Sequence, residues 1–309
     1  MAKRKIAVLV MAYGTPHTLD EVEAYYTHIR RGRKPSEEAL ADLVARYEAI
    51  GGCSPLFART LQQVKALEDQ LNQQDQDIQY TAYLGMKHIS PFIEEAVEQM
   101  AQDGIKEAVG LVLTPHYSTM SVGSYLERAQ ESCQAHGIKL HAIHDWYRLK
   151  EFIDTLALRL QNTLIQLNTV PITQQRVLFS AHSLPKRILD MRDPYPQQLK
   201  ETCELVAQRT SLPVWSFAWQ SAGKSGEEWL GPDLLTMLDQ LAAEGVKGVV
   251  SCPIGFVSDH LEILYDLDIE AKQHANQLGI TWLRTPSLNA DSQLITGLAN
   301  MIMNRIKEG

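Results

Sequence analysis

Two periods of hydrophobic spacing run through the chain. Continuous apolar runs of strand length occur at Ile6 to Ala12 and within Gly245 to Pro253, while helical spacing marks Phe92 to Gln102, Phe152 to Leu167 and Leu234 to Ala243. A glycine followed by a β-branched residue recurs at Gly104-Ile105-Lys106, Gly137-Ile138-Lys139, Gly245-Val246-Lys247 and Gly279-Ile280-Thr281. Each reads as a helix C-cap feeding a strand. Repetition of that unit predicts an α/β fold built on a mostly parallel sheet.

The pattern also repeats at long range. Val8 to Pro16 (VLVMAYGTP) aligns with Val177 to Pro185 (VLFSAHSLP), and Met100 to Lys106 aligns with Leu241 to Lys247. Two similar α/β halves explain both matches. Phe152 to Leu167 reads as a helix and the polar Asn168 to Arg176 as a loop, so the boundary falls between about Asp145 and Gln175. The first domain takes residues 1–150 with a C-terminal helix 286–309, and the second takes 151–285.

Where the second half leaves its strand at Pro253, an acidic helix opens. It carries Glu262, Asp266 and Glu270 at four-residue spacing, which keeps them on one face although like charges so placed repel. A line of oxygen ligands leading into a site is one reading, a solvated helix face the other. Open α/β sheets bind ligands beyond the carboxyl ends of their strands, which places Glu262 nearest such a crevice. If the halves face each other, Tyr13 and His182, at the ends of their first strands, lie on opposite walls of one cleft.

Composition narrows the class. With 45% hydrophobic and 21% charged residues this is a soluble globular protein, and its formal net charge of -8 argues against nucleic acid or an anionic membrane as partner. Cys53, Cys133, Cys203 and Cys252 form no C-x-x-C pair, which leaves no case for a structural zinc or an iron–sulfur cluster and fits a reducing compartment. The basic start Lys3-Arg4-Lys5 before Ile6 to Ala12 passes into Tyr13-Gly14-Thr15-Pro16 without a cleavage pattern, so it reads as a first strand in a cytoplasmic protein. No run approaches a membrane span.

His182, between small residues at a strand end, suits a metal ligand or a base near neutral pH; capping a loop is its plain structural role. Tyr13 can pack its ring or offer a phenol to a planar cofactor. Tyr25 to Pro35 (YYTHIRRGRKP) gathers cations beside aromatics on an acidic protein, where arginine forks bind carboxylate or phosphate. Arg46 and Tyr47 follow on the next helix. Gly51 to Pro55 and Ser118 to Tyr125 add polar loops. Gly223-Lys224-Ser225 mimics a phosphate loop, but the glycine required five positions earlier is Ala218, and no G-x-G-x-x-G follows a strand. His88 reads as a surface histidine.

Taken together, YYTHIRRGRKP, RYEAIGGCSPL, SAHSLP, WQSAGKSGEEWLGPD and PIGFVSDHLEILYDLD resemble the ferrochelatase family nearly end to end, most of all the soluble branch of Gram-positive bacteria that acts on coproporphyrin III. The resemblance implies two Rossmann-like domains, each a parallel sheet flanked by helices, around a porphyrin cleft. It implies insertion of Fe2+ into coproporphyrin III to give coproheme, with Fe2+ as substrate and no tightly bound cofactor or iron–sulfur cluster. His182 and Glu262 match the paired metal-site residues, and Asp266 and Glu270 the acidic line proposed to deliver metal or remove protons. Tyr13 matches the tyrosine axial to the product iron, and Arg30, Arg46, Tyr47, Ser54 and Tyr125 the porphyrin-binding positions. Trp229 would press on the porphyrin rim. A monomer meeting neighbouring heme-pathway enzymes transiently is expected. A protoporphyrin IX ferrochelatase, a chelatase for cobalt or nickel, a porphyrin or heme carrier and, against the missing glycine fingerprint, a nicotinamide oxidoreductase are the alternatives.

Overall fold

The computed structural model describes residues 3–308 apart from 213, 224 and 225; Lys224 and Ser225 of the discarded phosphate-loop pattern therefore lie outside the described residues. The chain divides into two compact units, Met1–Leu149 with Asn289–Gly309, and Lys150–Leu288. The first holds strands β1 (Arg4–Ala12), β2 (Ile78–Met86), β3 (Glu107–Val112) and β4 (Lys139–Ile143) in the order β2-β1-β3-β4. The second holds β5 (Gln175–His182), β6 (Trp215–Gln220), β7 (Gly248–Cys252) and β8 (Thr281–Arg284) in the order β6-β5-β7-β8. Every pairing is parallel and the two orders are the same, strand for strand. The VLVMAYGTP and VLFSAHSLP repeats thus fall on equivalent strands, β1 and β5, each at the point where strand order reverses.

Burial explains the apolar runs. Ile6 to Met11 of β1 are 0% exposed on both faces, as a parallel sheet covered by helices requires. Ala7, Leu9 and Met11 pack on Ile93, Val97 and Met100 of the helix Ile93–Gln102 and on Leu126, Ala129 and Cys133 of the helix Ser124–Ala135. Each large side chain so buried contributes about 1.5–3 kcal/mol. In the second unit Leu178, Ala218 and Val249 meet Leu234, Leu238 and Leu241 of a helix spanning Leu234–Ala243, the limits its pattern predicts.

The four cap glycines, Gly104, Gly137, Gly245 and Gly279, have φ of 74°, 65°, 85° and 69°, the left-handed conformation that ends a helix. The expected loop before β5 is shorter than its polarity implies. The strand already starts at Gln175, because backbone pairing with Gly248 and Val249 is indifferent to side-chain polarity and the Gln175 amide is satisfied by the carbonyls of Leu167 and Val170. The C-terminal helix covers Ser292–Glu308, opened by Asp291, whose carboxylate accepts from the Gln293 and Leu294 amides.

The acidic helix departs from expectation. It begins as Leu261–Leu264, widens into a π turn at Asp266–Ala271, where the Glu270 amide bonds the Tyr265 carbonyl at 2.9 Å, and ends as Lys272–Gln277. A steady four-residue spacing drifts by about 40° per step around an α-helix. Ile263, Leu267, Ala271 and Ala275 all face the core at that spacing, and the extra residue of the wide turn takes back the accumulated drift.

Candidate active site

His182 ends β5, paired with Gln220 at the end of β6. The loop after β7 comes up against it at Gly255, where a Cβ would stand 2.5 Å from that of Ala181; only glycine permits this approach. The Gln220 amide donates to the Glu262 carbonyl at 3.0 Å, tying the start of the acidic helix to the strand end. Tyr195 donates its hydroxyl to the His182 carbonyl at 3.0 Å.

These ties bring His182 and Glu262 together, with Nε2 3.5 Å from Oε1. A second imidazole, His260, sits on the other carboxylate oxygen, with Nε2 3.6 Å from Oε2. Both rings turn Nδ1 to a backbone carbonyl, of Ser183 for His182 and of Ser258 for His260. A carbonyl only accepts, so each Nδ1 carries a proton. Each Nε2 then faces the Glu262 carboxylate, and at His182 the pairing favours a proton or a metal cation between the two. Burial works against charge on His182, but the Glu262 carboxylate, the Ser183 carbonyl and Asp266 outweigh it and raise its pKa to about 9. Burial likewise opposes charge on Glu262, yet His182 and then His260 hold its carboxyl well below the ordinary range.

Of the other two acidic residues, Asp266 is buried and accepts from Ser221 Oγ at 2.6 Å, and Glu270 is half-buried one turn further along. Ser221 adopts φ 58°, left-handed for a non-glycine residue. Among the described residues no group of three or more His, Cys, Asp or Glu is placed to hold a metal together. Trp229 stands with its ring centroid 6.4 Å from that of His182.

The first unit carries the remaining candidates. Tyr13 follows β1 and is 43% exposed. Its ring lies 4.5 Å from that of His88, which also meets His28 through Nδ1 at 3.0 Å. His88 is therefore no surface histidine: it is half-buried, and burial, Lys87, His28 and Arg128 lower its pKa to about 3. The half-buried Arg30 lies over the Tyr26 ring at 5.6 Å, and Arg46 approaches Asp42 at 3.4 Å. Tyr47 is buried, its hydroxyl 3.5 Å from that of Thr15 in the loop after Tyr13. Ser54 accepts from the Leu56 amide at the start of the helix Leu56–Gln74. Tyr125 is buried under Lys87, whose ammonium sits 4.6 Å from the ring centroid; burial, with Arg128 and Arg31, lowers that lysine's pKa to about 8.

His260, Ser221 and Lys87 were not legible as site residues. For His260 a signal exists, an imidazole two positions before the carboxylate; Ser221 and Lys87 have none without coordinates.

The ferrochelatase family model matches residues 5–306, nearly the whole chain. The chain belongs to the ferrochelatase family. It is thus an enzyme of the metal-inserting lyase class. It is 49% identical to the coproporphyrin III ferrochelatase of Anoxybacillus flavithermus, over 100% of this chain and 99% of that one. It is 48% identical to the enzyme so named from Halalkalibacterium halodurans (100% and 99% covered) and 43% identical to that of Listeria monocytogenes (98% of each). Among solved structures, SirB from Bacillus subtilis with Fe3+ superposes with a TM-score of 0.56 at 10% identity, covering 98% of this chain and 95% of that one. CbiX, the terminal enzyme of siroheme biosynthesis in denitrifying bacteria, gives 0.53 at 11% over 99% of each. At such identities these two report the shared chelatase fold.

Proposed function

We propose that this ferrochelatase inserts Fe2+ into coproporphyrin III, yielding coproheme and two protons in heme biosynthesis. The observation that carries the reading is Glu262 bracketed by the Nε2 atoms of His182 and His260, nitrogen and oxygen donors that suit a cation in passage, with no thiolate to retain it. Near-full-length identity of 49% to a coproporphyrin III ferrochelatase supports the choice of porphyrin.

In this reading Fe2+ displaces the His182 Nε2 proton to solvent as it reaches Glu262, and once iron passes to the ring the freed Nε2 takes the two pyrrole protons one at a time, each passing on to solvent. Asp266 and Glu270 line the acidic approach. Arg30 and Arg46 hold propionates by charge-assisted bonds, Tyr47, Ser54 and Tyr125 complete the porphyrin contacts, and Tyr13 is axial to the product iron. Iron is a substrate, and no resident cofactor or cluster is required. We place the enzyme in the cytoplasm as a monomer that hands its product to a neighbouring enzyme; its four free cysteines fit a reducing compartment, and no helix among the described residues is long and apolar enough to cross a membrane.

Anaerobic Fe2+ insertion, followed by loss of porphyrin fluorescence, tests the proposal with coproporphyrin III and protoporphyrin IX in parallel. Turnover with the first and little with the second is expected. Equal turnover would refute the substrate assignment, and tight binding without turnover would turn the protein into a carrier.

A further inference from the structure

Five carboxylates, Asp259, Glu262, Asp266, Asp268 and Glu270, share one short stretch that contains no lysine or arginine. Arg284, the last residue of β8, reaches into it. Its Nε and Nη2 grip the two oxygens of Asp268 at 2.7 and 2.8 Å, the bidentate geometry peculiar to a guanidinium. Nη2 also stands 3.7 Å from Asp259. On its other side Nη1 donates to the Thr285 carbonyl at 2.9 Å and to Ser287 Oγ at 3.3 Å. The side chain is 14% exposed, so the fork is held from both sides with little water to compete.

What it grips matters. Asp268 lies inside the π turn Asp266–Ala271, and Asp259 directly precedes His260. One cation therefore bridges the two ends of the segment that presents His260, Glu262 and Asp266. π turns are rare, occurring mostly as single turns inside α-helices and often at functional sites, and this one is gripped from outside by Arg284. Its single positive charge, shared between two of the five carboxylates, also removes part of the repulsion that would splay the segment.

We infer that Arg284 is a positioning residue for metal handover: Asp259 and Asp268 are its anchors, and the three carboxylates Glu262, Asp266 and Glu270 are left to deal with the metal. Arg284 touches neither iron nor porphyrin; it fixes the register in which the carboxylates meet His182. This rests on the proposed chelatase function.

Arg284→Lys keeps the charge but cannot form both bonds to Asp268, and Asp268→Asn keeps the shape while weakening the pair. Three readouts separate positioning from general damage: Co2+ affinity without porphyrin, coproporphyrin III affinity by fluorescence, and KM for Fe2+ against kcat. In both variants Co2+ affinity is expected to fall, and the Fe2+ KM to rise, by roughly 10-fold or more, with porphyrin affinity unchanged. The double variant should lose little beyond Arg284→Lys alone, because both changes break one contact. Folded variants, by circular dichroism, that bind Co2+ as the wild type does would overturn the inference, and so would loss of folding in both, which would make the contact a fold element. If Arg284→Lys alone fails to fold, Asp268→Asn decides by the same readouts. A wild type that binds Co2+ but inserts no iron would defeat the chelatase reading instead.

Discussion

Because His182 holds a proton against Glu262, metal binding at the pair must release it, and affinity must rise with pH. The size of the effect follows from the raised pKa of about 9. The gain in affinity per pH unit equals the protonated fraction of the displaced group, so for that value it is about one decade per unit at pH 7. The His182 side chain is 36% exposed, and water screens part of the attraction to Glu262. If half the shift were lost, the slope would still be about 0.85, against about 0.25 for a histidine at its ordinary pKa near 6.5. The assay is Co2+ titration of the porphyrin-free protein between pH 6.5 and 7.5, wild type beside His182→Gln, with calorimetry in two buffers of different ionisation enthalpy to count protons. A wild-type slope between about 0.85 and 1, lost in His182→Gln, is expected. A wild-type slope near 0.25, or the same slope in the variant, would refute the reasoning. Stability follows with its own sign: a raised folded-state pKa contributes stability that is full below the unfolded value and lost as pH rises through about 9, so apo-protein unfolding should show that loss in the wild type and not in His182→Gln.

Gly255→Ala drives a methyl to 2.5 Å from Ala181 Cβ beside His182, and should cost about 1–3 kcal/mol in denaturant unfolding while lowering kcat. Arg46→Ala should raise the KM for coproporphyrin III by roughly 10-fold or more and leave the KM for Fe2+ near wild type, the mark of a lost charge-assisted propionate bond. Glu107, at the β3–β4 edge, bonds Arg4 and His141, and these partners outweigh burial to lower its pKa. Its contribution is present above the ordinary carboxylate range and lost as pH falls through the folded value, so Glu107→Gln should lower Tm by about 2–4 °C at pH 7 and by nothing resolvable at pH 3.

Local signals carried much of the fold into the sequence. The cap glycines, the Leu234–Ala243 helix and the repeated strand motif depend on neighbours a few residues apart, and the structure places each where its pattern points. The π turn was not legible, because its defining bond from the Glu270 amide to the Tyr265 carbonyl leaves no residue signature beyond a four-residue period that an α-helix also tolerates. His182 and Glu262 could be singled out by chemistry at strand and helix ends. Their company could not: His260 depends on an extended backbone at φ −158°, Ser221 on a left-handed one, and Arg284 on a strand end that folds back onto the acidic segment. His88 reads as a surface residue from sequence alone because the rings it meets, His28 and Tyr13, are distant in sequence.

The central claim is that the His182–Glu262 pair passes iron to the porphyrin. It is tested most directly by single-turnover anaerobic Fe2+ insertion into coproporphyrin III by the wild type, His182→Ala and Glu262→Gln, with porphyrin affinity measured on the same samples. The account requires that both variants still bind porphyrin while insertion falls by at least about 100-fold, the usual scale for losing a general base or metal ligand. Wild-type insertion rates in either variant would contradict it.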